Sequence, residues 1–205
     1  MSRAVLFDVD GTLVDSMANL RHVWRGWAEH YGLDGERVWA CAKRTAPLAT
    51  FAEVAPDQDP ADCIAKLHEL EDEDARSGDY SAFPTAAELL WTLPADGWGV
   101  VTSNYRHRTL MRFDRLGLPA PRVLVDAASV RHGKPDPEGY LAAAHALGRA
   151  AADCLVIEDS PSGVEAGVRA RMTVWSVGAT AVDNAHRHHQ SLEAAVADIR
   201  DWLAR

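Results

Sequence analysis

The chain has 205 residues, of which 47% are apolar, enough for one well-buried core with a small second domain inserted into it. A net charge of -9 works against a nucleic-acid partner, because binding a polyanion needs a basic face that releases counterions. Cys41, Cys63 and Cys154 are widely separated and form no CxxC pair, which points away from a disulfide framework or a zinc site and towards buried, reduced thiols. No apolar run approaches the roughly 18 residues needed to span a bilayer, so a soluble cytoplasmic protein without a membrane partner is expected.

In chain order, Ala4 to Asp8 is an apolar run that ends in an acidic cluster and Gly11, as suits a strand buried on both faces of a parallel sheet. From Ser16 to Tyr80 the pattern changes. Leu20, Val23, Trp24, Trp27 and Tyr31 recur at helical spacing, and no strand run appears, which predicts an all-helical insertion. Gly32, Gly35, Pro47, Pro56 and Pro60 divide it into several helices, and the acidic run Glu69 to Asp74 reads as a solvated helix face. Trp24 and Trp27 continue an apolar stripe and are expected in the core of this insertion rather than in an exposed ligand-stacking platform.

After Phe83-Pro84, strand-like runs at Gly99 to Thr102, Cys154 to Ile157 and Thr173 to Val177, with a weaker one at Arg122 to Val125, alternate with helical patterns. The helices are predicted at Arg106 to Leu116, Glu138 to Leu147 and Ser162 to Ala170. The fold class is therefore α/β: a doubly wound, Rossmann-like parallel sheet from residues 1–15 and 81–205, with a helical cap at 16–80. His186, His188 and His189 lie in a polar stretch before the last helix and read as a structural loop rather than a metal tract.

The chemistry concentrates at strand ends. Asp8 and Asp10 lie two residues apart where a buried strand stops, so both project to one side of the sheet, although Asp-Gly is also an ordinary way to start a turn. Open α/β sheets bind ligands at the carboxyl ends of their strands, and other such ends here carry Ser103 with Asn104, and Glu158 with Asp159. A further loop carries Lys134. Gathered together, these carboxylates would repel one another unless a cation sat among them, and an all-oxygen set suits magnesium. Lys134 and Ser103 would offer an anion a compact charge and a hydroxyl.

Asp8-Val9-Asp10-Gly11-Thr12, Thr102-Ser103-Asn104, Gly133-Lys134-Pro135-Asp136-Pro137 and Glu158-Asp159-Ser160-Pro161-Ser162-Gly163 together resemble the four ordered motifs of the haloacid dehalogenase superfamily. The insertion between the first two resembles the cap of the branch that holds sugar phosphatases, 2-deoxyglucose-6-phosphate phosphatase, glycerol-phosphate phosphatase and β-phosphoglucomutase. The resemblance implies that Asp8 is the nucleophile and forms an aspartyl-phosphate, and that Asp10 is the acid and base. It implies that Ser103, Asn104 and Lys134 bind phosphate, and that Mg2+ is held by Asp8, Asp10 through its backbone carbonyl, Asp159 and Glu158, the last directly or through water.

Asp10 argues for an oxygen leaving group, since dehalogenases release halide and lack an acid at this position. Phosphonate hydrolysis in the family needs an extra cap lysine, and nothing marks Lys43 or Lys66 as buried. Cys41-Ala42-Lys43-Arg44-Thr45 occupies the place of a Gly-containing substrate loop but lacks the glycine, so Lys43 and Arg44 are candidates for substrate specificity and equally read as an exposed basic pair. The expected activity is hydrolysis of a small phosphorylated metabolite, a sugar or polyol phosphate, with a phosphomutase and a non-catalytic binding protein as the alternatives. Oligomeric state has no signature in the sequence.

Overall fold

The computed structural model describes residues 3–205. Two compact units form: one from the stretch up to Asp15 together with Ser81–Arg205, the other from Ser16–Tyr80. In the first, β1 (Ala4–Phe7) is wholly buried, as its unbroken apolar run requires, and β2 (Val14–Asp15) pairs antiparallel with β3 (Ser81–Ala82) at the point where the chain leaves and re-enters.

The second unit is helical throughout its described residues, with α1 (Met17–His30), α2 (Gly35–Ala42), α3 (Pro47–Val54) and α4 (Pro60–Ser77). Several of the predicted breakers act as starters. Asp34 caps α2 by accepting from the Arg37 amide, Asp59 caps α4, and Pro47 and Pro60 occupy the first turn, where a missing N–H costs nothing. Trp27 is fully buried, stacks on Phe51 at 4.9 Å and donates its indole N–H to the Cys63 carbonyl, so the tryptophan stripe is core. Within the acidic run, Asp74 is partly buried and accepts from Asn19 and from the Tyr80 hydroxyl, so that position is a structural acceptor rather than a purely solvated one.

Back in the first unit follow α5 (Ala86–Thr92), β4 (Trp98–Val101), α6 (Arg106–Arg115), β5 (Leu124–Val125), α7 (Glu138–Ala146), β6 (Cys154–Glu158), α8 (Pro161–Arg169), β7 (Thr173–Val177), β8 (Arg187–His189) and α9 (Leu192–Leu203). The main sheet is parallel, in the order β5-β4-β1-β6-β7-β8. Ala4 and Leu6 of β1 join a core with Tyr140 and Ala143 of α7 and Val164 of α8. Side chains alternate along a strand, so Val5 and Phe7 face the other side, where α9 packs.

The histidine stretch is a correction. His188 and His189 lie in β8, a short parallel edge strand, and His186 immediately before it accepts from the Val174 amide through Nδ1. Polar residues form a strand here because an edge position leaves one side to solvent, so the apolar signal that marks a central strand is absent. The three cysteines are free and buried, and no described helix is long and apolar enough to cross a membrane.

Candidate active site

The chain order reverses around β1: β4 and β5 extend the sheet on one side, β6, β7 and β8 on the other. Crevices in α/β sheets open at such a switch point. Phe7 is level with Val100 of β4 and Ile157 of β6, so the next residues along, Asp8 from β1 and Glu158 and Asp159 from β6, emerge side by side. Ser103 emerges two residues beyond the end of β4 and is solvent-exposed, while Asn104 uses its side-chain oxygen to receive the Tyr105 amide at the start of α6.

Two glycines let the acidic groups approach. Gly11 has φ +92°, and a Cβ there would lie 1.9 Å from Asp159 Oδ2; a Cβ on Gly163 would lie 1.6 Å from Glu158 Oε1. Glycine at both positions is thus a condition for the carboxylate arrangement, over and above its use in turns.

Lys134 reaches this spot from the loop before α7. That loop is tied down by Glu138, which accepts from the amides of Arg131 and His132 at 3.0 Å each. Lys134 Nζ donates to Asp8 Oδ1 at 2.5 Å, Glu158 Oε1 at 2.7 Å and the Val101 carbonyl at 3.1 Å. Glu158 is completely buried and its remaining acceptor capacity is used: Oε1 also receives the Tyr140 hydroxyl, and Oε2 receives the amides of Asp159 and Ser160 and the Ser160 hydroxyl.

These partners divide the protonation behaviour. Burial pushes Glu158 up, but Lys134 and the Ser160 donors outweigh it and hold the carboxyl below its ordinary range. Asp8 lacks those extra donors. Burial, reinforced by the charges of Glu158 and Asp159, carries it well above the usual carboxylate range against the pull of Lys134. Burial and the Glu158 charge likewise push Asp159 up to about 7. Burial pulls the Lys134 ammonium down, yet the facing Asp8 and Glu158 outweigh it and hold it well above the ordinary lysine range.

Oxygens of Asp8, Glu158 and Asp159 lie within 4.8 Å of one another. Counting Asp10, four carboxylates face two cations, Lys134 and the buried Arg112, whose Nη1 donates to Asp10 Oδ1 at 2.6 Å. With all four carboxylates ionised, two negative charges would be in excess, which a divalent cation would offset, and Asp8 and Asp159, which lack the donors that saturate Glu158, are the carboxylates left to receive it. The all-oxygen donor set therefore fits a divalent metal.

A family model described as haloacid dehalogenase-like hydrolase matches residues 2–171. The chain belongs to this hydrolase family. It is 37% identical over 182 residues to hexitol phosphatase A of Escherichia coli, covering 87% of this chain and 84% of that protein. It is 30% identical over 189 residues to glycerol-1-phosphate phosphohydrolase 2 of Saccharomyces cerevisiae, covering 86% and 75%. Among solved structures, a HAD family hydrolase from Deinococcus radiodurans with bound phosphate and sodium superposes with a TM-score of 0.72 at 30% identity, covering 98% of this chain and 97% of that one. CbbY from Rhodobacter sphaeroides, in complex with phosphate, has the same fold, with a TM-score of 0.79 at 21% identity and coverage of 95% and 96%.

In this hydrolase, Asp8, Glu158, Asp159 and Lys134 come together, with Asp10 and Ser103 on the adjoining strand-end loops. Lys43 and Arg44 lie in the helical unit: Lys43 Nζ sits 5.7 Å over the Trp39 ring, and Arg44 pairs with Glu53 with more than half of its side chain in solvent. Arg112 and Tyr140 lie outside the four sequence motifs. Both sit on helices, and nothing local announces a carboxylate partner, 102 residues away in the case of Arg112.

Proposed function

We propose that this hydrolase removes the phosphoryl group from a small sugar or polyol phosphate, with Asp8 as nucleophile and Mg2+ as cofactor. The observation that carries the reading is the sharing of Lys134 between Asp8 and Glu158 beside Asp159, at the switch point of the sheet. Lys134 aims the Asp8 carboxylate and adds positive charge where phosphoryl oxygens would rest, with Ser103 and Asn104 as further phosphate contacts.

An Asp8 carboxylate oxygen attacks phosphorus while Asp10 gives a proton to the departing alkoxide. The aspartyl-phosphate is then hydrolysed by water whose proton returns to Asp10, which regenerates the Asp8 carboxylate. Asp8, Asp159 and the backbone carbonyl of Asp10 would hold Mg2+, which supplies charge neutralisation to the transferring oxygens. Glu158, saturated with donors, acts by fixing Lys134 and the start of α8. The helical unit is assigned the choice of leaving group, with Lys43 and Arg44 as its candidate contacts. The similarity to a hexitol phosphatase supports the polyol phosphate class.

The test is a screen of sugar, polyol and other small phosphate esters for free phosphate, with Mg2+ and with excess chelator. Release that needs Mg2+, returns on adding it back and falls by at least about 10³-fold in Asp8→Asn is expected. Isomerised sugar phosphate without inorganic phosphate, or Asp8→Asn with near-native release, would overturn the assignment.

A further inference from the structure

An acid that also serves as base must present one oxygen to the reacting atoms twice, from the same place. A carboxylate on a loop has two equivalent oxygens and free rotation unless one is held. Asp10 follows β1 by three residues and retains about a quarter of its side-chain exposure, so packing alone does not immobilise it. Arg112 lies two turns into α6, only 2% exposed, and its Nη1 donates to Asp10 Oδ1 at 2.6 Å. A guanidinium is planar, permanently charged and directional, which makes it a better clamp on a carboxylate than a flexible ammonium.

We propose that Arg112 is the positioning residue of Asp10: it fixes Oδ1 so that Oδ2 faces the leaving oxygen and then the attacking water. The inference rests on the phosphatase reading and deepens it. In the first half-reaction the Asp8–phosphorus bond forms, the bond from phosphorus to the leaving oxygen breaks, and the Oδ2 proton moves to that oxygen. In the second, water oxygen bonds to phosphorus, the Asp8–phosphorus bond breaks, and the water proton returns to Oδ2. Arg112 keeps its own protons throughout.

A positioning role separates substrates by leaving group. A p-nitrophenolate leaves as a stable anion and needs no proton, whereas an alkoxide does. The experiment compares native protein, Arg112→Met, Arg112→Lys, Asp10→Asn and the Arg112→Met/Asp10→Asn double variant, each with Mg2+ and each checked for folding by circular dichroism and thermal unfolding. The substrates are the alkyl phosphate turned over fastest in the screen above, and p-nitrophenyl phosphate followed through its first turnover.

Arg112→Met is expected to lower kcat on the alkyl phosphate by about 10²-fold with KM changed by less than about 3-fold. First-turnover nitrophenolate release should fall at least about 10-fold less than that. Arg112→Lys should recover part of the loss, and adding Arg112→Met to Asp10→Asn should cost little more. If Arg112→Met does not fold, Arg112→Lys and the Asp10→Asn background carry the same comparison. Equal losses on both substrates, an unchanged kcat on the alkyl phosphate, or a full additional loss in the Asp10→Asn background would overturn the role of Arg112 while leaving the phosphatase reading standing. Native protein that releases phosphate from neither substrate would overturn both.

Discussion

The Lys134–Asp8–Glu158 cluster and the Arg44–Glu53 pair both set a cation against carboxylate, in two different settings. In the first, Lys134 and Asp8 are about nine-tenths buried and Glu158 is completely so. In the second, both partners stand about half in water. Removing one member of the buried set strands a charge in a poor solvent, whereas water replaces either member of the exposed pair. Ion pairs in this protein therefore carry consequences in proportion to burial.

The comparison is broken most directly at Lys134. Lys134→Met should remove phosphate release and destabilise the fold by about 3–5 kcal/mol, read from denaturant unfolding, because Asp8 and Glu158 lose their shared cation. A variant as stable as the native protein would show that the buried set is worth no more than an exposed one. Gly163→Ala tests the same set from the backbone side. Its Cβ would overlap Glu158 Oε1, so Glu158 must move, at a cost of about 1–3 kcal/mol and with activity reduced on the order of 10- to 100-fold. Unchanged activity would show that the position of Glu158 does not matter to Lys134.

Asp126 offers an intermediate case with hydrogen bonds in place of an ion pair. It is buried and accepts from the Arg106 amide at 2.8 Å and from the Ser129 hydroxyl. Burial pushes its carboxyl up, but the hydrogen bonds outweigh it and hold it below the ordinary range. Its folded value lies below its unfolded one, so its stabilisation is present above the unfolded value near 3.9 and is lost as pH falls through the folded one. Asp126→Asn should cost about 1–3 kcal/mol at neutral pH, and the gap from native should close as pH falls below about 4. A pH-independent gap in urea unfolding would contradict this. Smallest of all, Glu53→Gln should leave the thermal midpoint unresolved from native; a shift as large as that of Asp126→Asn would overturn the ranking by burial.

Legibility in the sequence followed the range of the interaction. Helix α2 was bounded by Gly35 and α4 by Pro60 because dihedral preference and capping act within a turn, and β1 was visible because burial on both faces demands an unbroken apolar run. β8 carries no such run because an edge strand needs none, and the two-residue β2 and β3 are too short to show a period. For the site, Asp8, Asp10, Ser103, Lys134, Glu158 and Asp159 were marked by their places after strand-like runs or in the motif loops. The donors that saturate Glu158 were not, since Tyr140 lies in the first turn of α7 and reaches it only after α7 packs on the sheet.

By itself the sequence determined the α/β alternation, the helical character of 16–80 and the identity of the acidic strand ends, because each is encoded by neighbours within a few residues. Tertiary structure decided how those ends divide their work. The order β4-β1-β6 made Lys134 common to Asp8 and Glu158, the absence of side chains at Gly11 and Gly163 made room for two carboxylates, and the placement of α6 gave Asp10 its partner Arg112. Such pairings join residues far apart in the chain, and only the packing of the whole sheet with its helices fixes which charges share a buried space.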